Sequence, residues 1–230
     1  MEINRAVAAK VLEVVDAGLV RGLGNPTPGQ MCVEAAVCYA LGLPHSDDPK
    51  CVSPALRSLK IQLNDSAWSS NAARAKGMRR LAIIQLGTLG EIDEKVFATK
   101  VVEMTIRHIV PIALRAAVRM KGNAAHKDKL EAAALRCETE GSADAACAAY
   151  AAACAACAAD AACAADAAYS AADADYAAAD AAYAAACAAA CAAPKNKDSI
   201  LAKFAENVVQ ILVGMGVKSA AWLDLAPLED

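Results

Sequence analysis

The sequence predicts an all-α protein: a multi-helix domain followed by a long alanine-rich helix or helical hairpin. Three observations carry that prediction. No stretch alternates apolar and polar residues long enough to build a strand, whereas apolar residues recur every three or four positions along most of the chain. From Ala143 to Ala193 there are 34 alanines in 51 positions and no Gly, Pro, Lys or Arg. Alanine has the highest intrinsic helix propensity, so this tract is helical. Finally, helix punctuation (Ser-Pro, Gly-rich turns, a lone Pro) separates the apolar stretches.

Residues 2–20 carry Val7, Val11, Leu12, Val15 and Leu19 at helical spacing and run into a Gly- and Pro-rich turn at 21–29. A short apolar helix is predicted over 30–41, ending at Gly42, with polar loop over 43–52. Ser53-Pro54 reads as an N-cap with proline in the first turn, and Leu56, Leu59 and Leu63 form the buried face of the helix that follows. Asn64-Asp65-Ser66 ends it. Further helices are expected over 71–86 and 93–109, the latter with Phe97, Val101 and Met104 on one stripe. Pro111 should divide that helix from one over 112–120, which Lys121-Gly122-Asn123 closes. A helix over 126–139 stops at Gly141, and Ser142 with Asp144 starts the alanine tract. Pro194 ends the tract. The last helix, 198–213, carries Leu201, Phe204, Val208 and Leu212 and leads to an apolar tail with Trp222.

Within the alanine tract the larger residues run from Cys147 and Tyr150 through Cys154, Cys157 and Cys163 to Cys187 and Cys191, at steps of three or four. Their spacing is shorter than the 3.6-residue helical turn, so the stripe drifts around the cylinder and suits contact with different neighbours along its length. As one helix the tract would reach roughly 75 Å; as a hairpin it would break near 170–175. Alanine faces let helices approach to about 8 Å, cysteine packs as a small hydrophobe, and aspartate keeps one side wet. The Cys154-x-x-Cys157 pair could instead ligate metal or do redox chemistry, but no basic group nearby lowers a thiol pKa.

A net charge of −3 and a pI near 5.7 argue against a nucleic-acid scaffold. Glu2, Arg5 and Lys10 interrupt any early apolar run, so no signal peptide is expected. Asp144, Asp160, Asp166, Asp173, Asp175 and Asp180 make the tract too costly to place in hydrocarbon. A cytoplasmic location follows, with the ten cysteines reduced rather than disulfide-bonded.

Specific chemistry concentrates in residues 30–87. His45, Asp47, Asp48 and Cys51 fall within seven residues of loop, after a helix bearing Cys32, Glu34 and Cys38, and Asn64-Asp65 follows. Such a set can ligate a metal or pair a thiol with a histidine base. It can equally make turn hydrogen bonds and pack between helices. Arg74, Arg79 and Arg80, with Lys76, share a helix and could clamp a phosphate-bearing ligand or form an ion-pair network. No cofactor is implied.

The Cys-x-x-Glu-Ala helix at Cys32, the Gly-x-Pro-x-Ser-Asp-x-Pro-x-Cys-Val loop from Gly42 to Val52, and Leu63-Asn64-Asp65 resemble an uncharacterised family of phage and bacterial proteins over about 60 residues. The Ala/Tyr/Asp/Cys tract is similar to those of bacterial immunity proteins of the Imm-5-like type. These resemblances imply a phage-encoded protein acting in host–phage conflict, in the host cytoplasm. The expectation is therefore an N-terminal helical domain over 1–122, an alanine-rich region over 123–193 and a C-terminal helix and tail over 194–230. Its function would be non-enzymatic: sequestering a small phosphorylated, nucleotide-like ligand or a partner protein. Cys32, Glu34, His45, Asp47, Asp48, Cys51, Asn64, Asp65, Arg74, Arg79 and Arg80 are the binding residues expected. A homo-oligomer anchored by Tyr150, Tyr169, Tyr176 and Tyr183 is expected too. The alternatives are an enzyme using Cys32 or Cys51 with His45, and a purely structural assembly protein.

Overall fold

The computed structural model of the chain describes residues 3–156, 162, 165–166, 177–191 and 196–228. Among them are ten α-helices, two 3-10 segments and no strand, so the all-α expectation holds. They are α1 (Arg5–Asp16), α2 (Val33–Ala40), α3 (Pro54–Asn64), α4 (Asn71–Ile84), α5 (Glu94–His108), α6 (Val110–Val118), α7 (Lys127–Glu140), α8 (Ala143–Ala155), α9 (Ala177–Cys191) and α10 (Lys197–Gly214). The chain divides into two compact units: residues 3–97 with 205–228, and the described residues of 98–204. This differs from the boundaries expected near 122 and 194, because the helices α5 and α10 each run from one unit into the other.

In the first unit α1 packs on α2 and α4, and α2 also touches α3. Each helix starts where a side chain can accept from amides the first turn leaves unsatisfied. Asn4 Oδ1 accepts from the amides of Ala6 and Val7, Ser53 Oγ from Leu56 and Ser70 Oγ from Ala73. Leu56, Leu59 and Leu63 are fully buried, as the spacing predicted. The helix expected over 30–41 starts three residues later. Met31 is held instead in an isolated antiparallel bridge to Gly24, and Cys32 Sγ serves as the N-cap of α2. A β-carbon on Gly24 would lie 2.0 Å from the carbonyl oxygen of Gln30, so this turn closes only with glycine there. The C-terminal stretch joins the same unit: Val208 and Leu212 are fully buried, and a 3-10 segment (Lys218–Leu225) packs on α1 and α4. Ser219 Oγ donates to Ile84 O at 2.5 Å, and Arg5 grips Asp224 through two bonds of 2.8 and 2.7 Å.

In the second unit α6 packs against α7, α8 and α9. The break expected at Pro111 falls at Ile109, and α6 begins at Val110 rather than 112. Proline fits the first turn, where no intrahelical partner awaits its missing N–H. The C-terminus of α7 is closed by Arg107, whose guanidinium donates to the carbonyls of Glu138, Thr139 and Glu140 at 2.8–2.9 Å. Gly141 follows at φ +63°, where a β-carbon would sit 2.5 Å from Arg107 Nε.

Ser142 caps α8 as predicted, accepting from Ala145 N. On α8 the alanines face inward (Ala145, Ala146, Ala149 and Ala153), while Cys147, Tyr150 and Cys154 are exposed. The tract is not one unbroken helix: α8 ends at Ala155, and α8 and α9 both pack on α6. Cys157, Cys163, Tyr169, the break expected over 170–175, Tyr176 and Pro194 lie outside the described residues. No helix among the described residues is long and apolar enough to cross a membrane.

Candidate functional site

The first unit holds a small cleft of about 40 Å³ between the turn at Gly22-Leu23, the start of α2 and the end of α3. Its lining includes Cys32, Glu34, Asp47, Asn64 and Asp65, five of the residues singled out from the sequence, together with Leu23, Val33 and Ile61.

Local chemistry explains why these residues meet. Asn64 is the knot: its Oδ1 accepts from the amide of Val33, and its Nδ2 donates to Val20 O and to Asp65 Oδ1. Asp65 Oδ1 also accepts from the amide of Gly22 at 2.8 Å. The end of α3 therefore fixes both the turn before α2 and the first amide of α2. Cys32 Sγ takes up the amide of Ala35, so the N-terminal amides of α2 point to protein partners rather than outward.

Behind the cleft lies a fully buried ion pair. Glu34 Oε1 is 2.7 Å from Lys60 Nζ, and both side chains are entirely inaccessible to solvent. The contact is electrostatic rather than a well-aligned hydrogen bond, and among the described residues neither group has another polar partner. Burial pushes the Glu34 carboxyl up and the Lys60 ammonium down from their ordinary values, and their mutual attraction opposes both shifts. Cys32, Cys38 and Cys51 surround this pair. Burial raises all three thiols, Cys38 to about 11, with the Glu34 charge adding to the effect. None is therefore poised as a thiolate.

The loop residues among those predicted have partners of their own. His45 Nε2 donates to Gly24 O at 3.0 Å, which ties the loop to the glycine turn, while Nδ1 is buried without a partner. Cys51 feels the charges of Lys60 and Glu34 as well as its own burial. Asp47 pairs with Arg57 at 2.8 Å, and Asp48 with Lys50, whose ammonium holds the Asp48 carboxyl below its ordinary range.

The arginines do not converge on one ligand. Arg74 is buried and donates to Asn64 O, Leu19 O and Asn71 Oδ1. Arg79 forms a two-bond pair with Asp16, and Arg80 binds Glu206 and Ala226 O. Lys76 and Arg79 line a separate, open cleft with Asp16. Of the predicted anchors, Tyr150 and Tyr183 are exposed. Among the described residues no group of three His, Cys, Asp or Glu is arranged to hold a metal ion.

Sequence reasoning missed Lys60 and Arg57. Lys60 carried a readable signal, because it falls on the Leu56–Leu59–Leu63 stripe of α3, and Glu34 sits in an otherwise apolar helix. Two opposite charges on two buried stripes are candidates to meet. No known family model, curated protein or solved structure matches the chain.

Proposed function

We propose that the protein is a non-enzymatic binding protein, and that the cleft framed by Gly22, the start of α2 and the end of α3 is where it captures its ligand or partner. One observation carries this reading: three carboxylates line a cleft whose floor is a buried, otherwise unsatisfied ion pair, with no reactive thiol beside it. A cleft lined by acceptors, beside thiols that burial keeps protonated, is suited to recognition rather than to nucleophilic chemistry. The engagement of Arg74, Arg79 and Arg80 with protein groups draws the reading away from a phosphorylated ligand. A capture role in host–phage conflict is the biological setting the sequence resemblance suggests. Exposed Tyr150 and Tyr183 on alanine helices support self-association as a second property of the chain.

Native mass spectrometry tests the reading. A native mass exceeding the denatured mass by a discrete ligand or partner is expected. A bare chain, also bare after passage through a lysate of its host, would count against capture. Conversion of a substrate that stops with Cys51→Ala or His45→Ala, in variants that keep their melting temperature, would replace binding with catalysis.

A further inference from the structure

We infer that the exposed face of α8 is a self-complementary surface that pairs antiparallel with α8 of a second copy of the chain. The inference rests on the self-association read above from the exposed tyrosines, and it names the face and the symmetry.

This face is apolar where a solvent-facing helix is ordinarily charged. On α7 the exposed positions include Lys127, Asp128, Lys129, Glu131, Arg136 and Glu140. On α8, past Asp144 in the first turn, they are Cys147, Tyr150, Ala151, Cys154 and Ala155. Cys147, Tyr150, Ala151 and Cys154 are spaced i, i+3, i+4 and i+7, which puts them on one stripe. The Tyr150 hydroxyl is hydrogen-bonded to the Cys154 thiol and feels the charge of Asp166, so the ring is held over the stripe with a polar group at its edge.

The order of residues along the stripe selects the occupant. A two-fold axis midway between residues 150 and 151 exchanges Cys147 with Cys154 and Tyr150 with Ala151. Two copies related by it set each tyrosine against the other's alanine, a knob against a hole, and each Cys147 against the other's Cys154. An unrelated partner would gain nothing from that exchange, and a parallel pair would set tyrosine on tyrosine. Ala148, Ala151, Ala152 and Ala155 leave room for helix axes about 8 Å apart, which brings facing α-carbons within reach of a disulfide. Charge points the same way. A chain of net charge −3 repels its own copies on most approaches, and the four residues of the stripe carry no charge. Four residues a side cover far less than the roughly 1,600 Å² of a standard interface, so the pair is reversible.

Sedimentation equilibrium of the full-length protein in reducing buffer tests this. A monomer–dimer equilibrium is expected. Ala151→Glu puts a charge in the hole at an exposed position and should weaken the dimer about tenfold. Tyr150→Ser removes the knob and should do the same, with the melting temperature of the monomer unchanged. Diamide, which takes one hydrogen from each of two thiols and leaves a disulfide, should then link Cys147 of one copy to Cys154 of the other. Within one helix these residues stand about 10.5 Å apart, too far for an internal bond, so peptide mapping of that link reports the pair of copies. Links of Cys147 to Cys147 and Cys154 to Cys154 instead would overturn the antiparallel arrangement. A dimer that both variants leave unchanged overturns the assignment of the face, while self-association survives through another surface. A monomer at every concentration overturns both, and leaves capture at the cleft as it stands.

Discussion

At the scale of single residues, Lys60 and Glu34 determine more than their number suggests. Each was moved from water to a site of zero exposure, and the other is the main group that offsets that cost. Lys60→Met alone leaves a buried carboxylate without its counter-charge and should lower stability by about 3–5 kcal/mol in urea unfolding. Lys60→Met combined with Glu34→Leu should recover most of that loss, since the pair as a whole contributes little net stability. The half-buried pair Glu138–Arg115 behaves differently. Arg115 holds the Glu138 carboxyl below its ordinary value of 4.5, so the pair stabilises the fold above that pH and its contribution is lost as the pH falls through the folded-state value. Glu138→Gln should therefore flatten the fall in melting temperature as the pH drops below 4.5. The candidate residues were legible in the sequence, but not their division of labour. Asn64-Asp65 looked like a helix stop and proved to tie three segments together; Arg74, Arg79 and Arg80 looked like a clamp and proved to bind the protein itself. Sequence reports residue type, whereas partner choice depends on groups as far as 43 to 146 positions away.

At the scale of elements, local rules worked wherever a cap decides the outcome. Ser53-Pro54 and Ser142 begin helices because their side chains accept from amides that would otherwise be unsatisfied. They failed at α2, where a glycine-tight turn and a bridge to Met31 hold three residues out of the helix. The alanine tract was legible as helix but not as packing. Its larger residues looked like the contact stripe, yet on α8 alanine is the contact surface and Cys147, Tyr150 and Cys154 face out. Ala149→Leu should consequently cost about 1–3 kcal/mol by overpacking, whereas Tyr150→Ala should leave the melting temperature of the monomer nearly unchanged. Thiol alkylation reads the same geometry: among the described cysteines, Cys147 and Cys154 should react in the native state, and Cys32, Cys38, Cys137 and Cys187 only after unfolding. At the end of α7, Gly141→Ala combines an unfavourable positive φ with a clash against the capping arginine. It should destabilise by about 1–2 kcal/mol, measured by thermal unfolding.

At the scale of the whole molecule, the division into units was the least legible feature. Proline, glycine and composition marked boundaries near 122 and 194, but the units divide within helices that carry no such mark. What assigns residues 205–228 to the first unit is long-range: Ser219 on Ile84, Asp224 on Arg5, Glu206 and Ala226 on Arg80. Ser219→Ala should cost about 1 kcal/mol, and hydrogen exchange should quicken in residues 78–84 and 205–212 together. Acceleration confined to one segment would show that they do not open as one unit. The same connectivity has a consequence during translation. The first 97 residues leave the ribosome with part of their core unfilled, and the segment that completes it follows more than a hundred residues later, a wait of roughly 5–20 s at ordinary elongation rates. During that interval the nascent chain exposes apolar surface that its own later segment has yet to cover, so the inserted unit sets a clock on the protein's vulnerability to aggregation.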